Sequence, residues 1–196
     1  YVAKKLDYYV RHERWNEILN EKELRPSKNM LHTCCQNLAL TRMGKLSEAV
    51  TVTPQVGTMG LLVKWNRSTF TSALLSDVCY TMGHVALSQM LAFEGLVASE
   101  YSENPRLMLR LVQTSLIEGA YPVAEKYIRL LKQTYAYRQQ AEAYAAFLYN
   151  DQRVEEDSEL GPLRQCRSQV DGLTSLAQAP MDLWMVMQSN PSYRPS

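Results

Sequence analysis

The chain is poor in glycine and proline, with eight of each among 196 residues. Turn-rich β architectures use more of both, so the scarcity favours helices. Net charge is nearly absent as well, because 21 Lys and Arg against 20 Asp and Glu leave +1 at pH 7. A dedicated nucleic-acid surface carries a basic excess, and a disordered chain pairs low hydrophobicity with high net charge. Neither fits a near-neutral chain in which 46% of residues are apolar. Long apolar runs are missing too. The nearest candidate, Val78 to Phe93, carries Thr81, His84, Ser88 and Gln89, and is shorter than the roughly 20 residues a membrane helix needs. The chain itself is therefore expected to be soluble. Its start, YVAKKLDYYVRHERW, is charged and aromatic and does not read as a signal peptide. Cys34 and Cys35 are adjacent, whereas Cys79 and Cys166 stand far apart. This is neither a disulfide framework nor a paired C-x-x-C zinc pattern, and the four read as reduced, buried thiols.

What the chain does have is helical periodicity. Ala124, Tyr127, Ile128, Leu131 and Tyr135 fall on one stripe, and Ala141, Tyr144, Ala145 and Leu148 on another. Asn104-Pro105 reads as an N-cap followed by proline at the first helical position, where no amide hydrogen is needed. Pro26-Ser27 reads as the end of one segment and the cap of the next. These signals predict helices near 2–12, 14–23, 28–43, 69–82, 84–99, 105–118, 121–135 and 137–149, with a shorter one near 160–170. The segment 51–68 breaks the pattern through Pro54, Gly57, Gly60 and several β-branched residues, and reads as an ordered insert or binding loop. The acids between Asp151 and Glu159 read as a solvated helix or loop. Residues 171–196 contain Pro180, Pro191 and Pro195 and read as a partly ordered C-terminal extension.

A repeat emerges when the tight turns are aligned. Gly44-Lys-Leu-Ser-Glu-Ala49, Gly83-His-Val-Ala-Leu-Ser88 and Gly119-Ala-Tyr-Pro-Val-Ala124 share a glycine, then a large apolar residue, then a small one. Glu13-Arg-Trp-Asn-Glu-Ile18 matches loosely, without the glycine or the small residue. Glycine permits a tight turn between two helices, the large residue plugs their crossing, and the small residue lets backbones approach. Successive starts are 31, 39 and 36 residues apart, and periods of this size mean stacked helical hairpins.

At these residues the sequence resembles the tetratricopeptide-repeat family, best at Gly44 to Ala49 with Pro54 and at Gly119 to Ala124. The full signature is never complete, the spacing is irregular, and the 51–68 insert interrupts the array. The resemblance implies an all-α fold of stacked hairpins in a right-handed solenoid, a repeat domain over 1–170 with one loop insertion. A second resemblance rests on Asn37-Leu-Ala-Leu40, Pro54-Gln-x-Gly57, Ser76-Asp-Val78, Ala92-Phe-Glu94, Asn104-Pro-Arg106 and Ala124-Glu-Lys-Tyr127. These blocks are similar to an uncharacterised bacterial integral-membrane family, in which membrane helices precede a soluble helical-repeat region. It implies a soluble portion of a longer membrane-associated protein. The start at Tyr1 in place of Met, and an ending at Asn190-Pro-Ser-Tyr-Arg-Pro-Ser196 that reads as the lead-in to another helix, point the same way.

Chemistry-bearing motifs are few. Gly57-Thr-Met-Gly60 lacks the Gly-Lys-Ser/Thr ending that cradles phosphate, and no Gly-x-Ser-x-Gly or His-Glu-x-x-His occurs. His32, Cys34 and Cys35 form the one compact metal-type grouping, but residues i, i+2 and i+3 of a helix do not all point one way. No metal and no cofactor is expected. By resemblance to tetratricopeptide arrays, the first helix of each hairpin lines a concave face. Counting back from the turn glycines places Arg42, Asp77, Tyr80, Arg106, Arg110 and Gln113 there. Arg106 and Arg110 are i, i+4 neighbours whose guanidinium groups can converge on one carboxylate. Trp65, inside the insert, is the candidate aromatic for a recognition loop. The expected function is a non-catalytic protein-interaction or scaffold module for a protein or peptide partner. The alternative is an enzyme or small-ligand domain with its site near the 51–68 loop, beside Ser76 and Asp77.

Overall fold

The three turn glycines take the left-handed backbone that an L side chain adopts only under strain, with φ of +68° at Gly44, +84° at Gly83 and +77° at Gly119. Around them the hydrogen bonding repeats. Lys45, His84 and Ala120 each donate at 2.8 Å to the carbonyl five residues back, and each glycine amide reaches back three residues at 3.0–3.2 Å. This closes the preceding helix with a Schellman-type cap. Glu13, the loose match, makes the same turn without glycine, at φ +52°, with Arg14 donating to the Tyr9 carbonyl at 2.9 Å. Tyr149, at φ +58°, marks a further left-handed turn that the sequence pattern misses, since it has neither glycine nor a large apolar residue two positions on. A helix begins two residues after each of the five.

The computed structural model describes residues 2–22, 29–49, 63, 67–99 and 103–165. Among them are eleven helices and no strand, so the fold is all-α. They are α1 (Val2–Arg11), α2 (Trp15–Asn20), α3 (Met30–Arg42), α4 (Leu46–Ala49), α5 (Thr69–Thr81), α6 (Val85–Val97), α7 (Pro105–Glu118), α8 (Tyr121–Leu131), α9 (Arg138–Ala145), α10 (Asp151–Glu156) and α11 (Leu160–Gln165). Two compact units result, Tyr1–Lys64 and Trp65–Asp171. The boundary falls inside the 51–68 insert.

In the first unit α1, α2 and α3 pack on one another, burying Leu6, Val10, Ile18, Cys34, Cys35, Leu38 and Ala39. Asn29 caps α3, its side chain accepting from the Leu31 amide at 3.0 Å, so the helix starts at Met30. The Pro26-Ser27 stop and cap lie outside the described residues, as do residues 171–196.

In the second unit each helix packs on the next from α5 through α9, and α7 also touches α5, α9 and α11. Small residues bring α5 and α6 close. Ser76 and Ser88 exchange hydroxyl-to-carbonyl hydrogen bonds, both at 2.8 Å, and a Cβ on Gly95 would lie 2.5 Å from that of Ser72. The small residue of the repeat pattern thus sits at the helix crossing in this hairpin. Leu107, Leu111, Leu116, Ile117, Ile128 and Leu131 fill the core with Val154 and Leu160; burying each contributes about 1.5–3 kcal/mol.

Two expected helices end early, the one over 137–149 stopping at Ala145. The helix expected over 121–135 ends at Leu131, where the Gln133 and Thr134 amides turn back three residues and the Thr134 hydroxyl bonds the Leu131 carbonyl at 2.7 Å. Tyr135 therefore leaves the core stripe and is 98% exposed. The acids after Asp151 lie, as expected, on a largely exposed helix and the turn after it, and some of them also take partners. Val154 is fully buried, Asp151 accepts from Tyr121 at 2.5 Å and pairs with Arg164, and Glu159 reaches α5 and α7.

Candidate functional site

Asp77 and Tyr80 lie one helical turn apart on α5, and Arg106, Arg110 and Gln113 form an i, i+4, i+7 row on α7. The contact between α5 and α7 turns these two rows toward each other. Asn104 sets where the second row begins, its side chain accepting from the Arg106 and Leu107 amides at 3.1 and 3.4 Å, with Pro105 at the first helical position.

The carboxylate of Asp77 lies between both arginines. Arg106 donates through Nη2 at 2.5 Å and Nε at 3.2 Å to one oxygen, and Arg110 through Nη2 at 2.8 Å to the other. The three side chains keep 12%, 19% and 15% of their surface exposed for Asp77, Arg106 and Arg110, so the cluster is desolvated but still reached by water at its edge. Arg110 also stacks on Tyr80, its guanidinium carbon 3.6 Å from the ring centroid, a close cation–π contact. Its Nε and Nη1 are buried and meet no acceptor among the described residues.

Beyond Arg110 the network continues through neutral donors to one more acid. The Tyr80 hydroxyl donates to Glu159 Oε1 at 2.9 Å, and Gln113 Nε2 donates to the same oxygen at 3.1 Å and to the Tyr144 hydroxyl at 2.8 Å. Tyr144 comes from α9, and Glu159 from the turn that enters α11. Burial pushes the Tyr80 phenol well above its usual range and the Glu159 charge adds to this. For Tyr144 the same two causes, burial first, push it up to about 12. Both phenols therefore stay protonated at neutral pH, Tyr80 donating to Glu159 and Tyr144 accepting from Gln113.

Five of the six residues expected on a concave face thus come together in one polar cluster, Asp77, Arg106 and Arg110 in one hydrogen-bonded group and Tyr80 and Gln113 in a second, joined by the stacking of Arg110 on Tyr80. The sixth, Arg42, is exposed in the last turn of α3 and belongs to the first unit. Trp65 lies outside the described residues. The arginines do converge on a carboxylate, but it is the chain's own Asp77. Ser76, expected as a polar group beside the 51–68 loop, is fully buried with its hydroxyl committed to Ser88. Sequence reasoning missed Tyr144 and Glu159. Tyr144 falls on the apolar stripe of α9, which hides the role of its hydroxyl, and the left-handed turn at Tyr149 is the signal that marks α9 as another helix leading into a turn. Glu159 gave no local signal within its run of acids.

The arrangement is suited to holding charged and hydrogen-bonding groups in place. Among the described residues no three His, Cys, Asp or Glu side chains converge on a metal-sized site. Burial pushes Cys34 up to about 12 and likewise raises Cys35, which keeps both as thiols rather than nucleophilic thiolates. No helix among the described residues is long and apolar enough to cross a membrane. Residues 1–196 match a family of unknown function, DUF6057, and the chain belongs to that family. No curated protein and no solved structure matches it.

Proposed function

We propose that this member of a family of unknown function is a non-catalytic interaction module whose second unit binds a carboxylate-bearing segment of a protein partner. The observation that carries this reading is the polar network itself. Replacing a buried ionic triad by apolar side chains often leaves stability unchanged or improved. A cluster of two arginines, two acids, two tyrosines and a glutamine therefore calls for more than stability as its reason. Apart from Glu159, in the turn that enters α11, it lies on α5, α7 and α9, the first helices of three consecutive hairpins, where a stacked-hairpin array presents its binding surface. Tyr80, Gln113 and Arg110 supply donors suited to a carboxylate.

The finer architecture in this proposal is a tetratricopeptide-like right-handed stack. Its support is the packing order, in which α5 and α7, then α7 and α9, touch as alternate helices while α6 and α8 join them in sequence. The recurring left-handed turns add to it. A tether to a membrane-spanning region and a scaffolding role there are carried by the sequence resemblance alone.

The test is selection from a displayed random-peptide library, run on the wild-type chain and on the apolar triple variant Asp77→Leu/Arg106→Met/Arg110→Met. Enriched peptides should share a carboxylate at a fixed position and lose binding to the variant. Enrichment that is indifferent to the triple variant, or lacks any shared carboxylate, would remove the proposal.

A further inference from the structure

Glu159 stands where a ligand carboxylate would stand. It is exposed, yet its Oε1 is held by two side-chain donors from two different helices, Tyr80 on α5 and Gln113 on α7. The backbone that carries it is fixed independently. Asp157 Oδ1 accepts from the Glu159 and Leu160 amides at 2.9 and 2.8 Å, and Leu160 is buried in the core. The adjoining Gly161 is so close to the Glu155 carbonyl that a Cβ there would approach within 2.3 Å. Neither anchor uses the Glu159 side chain. It can therefore leave by rotation about its own bonds, while α10 and α11 stay in place.

The charge balance gives this movement a consequence. With Glu159 in place, the two arginines of the cluster are balanced by two acids, Asp77 paired with them directly and Glu159 held by Tyr80 and Gln113. With Glu159 turned to solvent, the cluster holds a net positive charge and presents the Tyr80 hydroxyl and the Gln113 amide to an incoming group. Arg110 stacks directly behind the Tyr80 ring. Both hydrogen bonds fall on one oxygen of an exposed carboxylate, so on leaving it exchanges these two donors for water.

We infer that Glu159 is a built-in occupant of the carboxylate subsite, an autoinhibitory side chain that a partner's carboxylate displaces. This rests on the binding function proposed above and adds its regulation. The ligand group is a peptide carboxylate, whether a chain terminus or an acidic side chain. Affinity for it is set by competition with Glu159, which is always present at high effective concentration.

The experiment uses the whole 196-residue chain as wild type, Glu159→Ala, Glu159→Gln and Arg110→Met, with acetate as the probe and chloride at matched ionic strength as the control. The readout is the NMR signal of the Gln113 side-chain amide. Glu159→Ala should shift that signal, and acetate should shift it back saturably with at least tenfold tighter apparent affinity than for the wild type. Glu159→Gln, which keeps the length and loses the charge, should fall between the two. N-acetyl-Gly-Gly-Leu with a free carboxylate, and N-acetyl-Gly-Glu-Leu amide, then separate the two sources by which one competes with acetate. Equal acetate affinity in wild type and Glu159→Ala, lost in Arg110→Met, would overturn the role of Glu159 while leaving the binding site standing. No saturable response to acetate or either peptide in any form would overturn both.

Discussion

Removing the Asp77 carboxylate leaves two guanidinium groups facing each other across a desolvated gap. Asp77 accepts three hydrogen bonds at 2.5, 2.8 and 3.2 Å, all from charged donors. Breaking a buried ion pair on one side costs about 3–5 kcal/mol, mostly because the remaining charge is uncompensated. The 12–19% exposure of these side chains lets water relieve part of that, so Asp77→Ala is expected at the lower end, about 3 kcal/mol. For a chain of this length that corresponds to a fall in Tm of about 6–12 °C. The apolar triple variant removes all three charges together and should lie within about 1 kcal/mol of the wild type. Urea unfolding followed by circular dichroism, with m-values compared across the set, measures both. Because the pairs are largely shielded, added salt should change the Asp77→Ala penalty little. A penalty below about 0.5 kcal/mol would place Asp77 with ordinary surface ion pairs, and the desolvation argument for the whole cluster would fail.

The turns make a paired prediction. Gly44→Ala meets no neighbouring atom within 4 Å, so its cost should be backbone strain alone, about 1 kcal/mol, while Glu13→Gly at the equivalent turn should be neutral or stabilising; equal effects of both substitutions in urea unfolding would contradict the common turn geometry. Gly95→Ala should force α5 and α6 apart at a cost of about 1–3 kcal/mol, and Ser72→Gly should restore much of it, since the added Cβ would lie 2.5 Å from that of Ser72. Burial lowers the His32 pKa below its ordinary value near 6.5, so the unfolded chain binds the proton more readily. Stability should therefore rise with pH up to about 6.5 and fall on acidification, with a shallower slope in His32→Gln; parallel slopes from pH 5 to 7 would refute it. Cys34, Cys35 and Cys79 are buried, and mass spectrometry should find them labelled by a thiol reagent only after unfolding.

The sequence by itself determined the helical class, the starts of α5, α6, α7 and α8, and the three glycine turns. Each of these is written within a few neighbouring residues, as a cap, a period or a left-handed φ. Where the local signal was incomplete the reading slipped. Tyr149 turns the chain without glycine, and Tyr135 continues an apolar period past the point where Thr134 ends the helix. The six residues counted back from the turns were legible as positions on first helices. Their partners were not. That Asp77 would bind both arginines, that Tyr144 would join Gln113, and that Glu159 would reach back 79 residues to Tyr80 were decided by tertiary packing alone. The reason is physical: helical register depends on short-range sterics and hydrogen bonds that the local sequence encodes. The pairing of charges across helices depends on which faces the buried small residues and core side chains bring into contact, and no single segment carries that information.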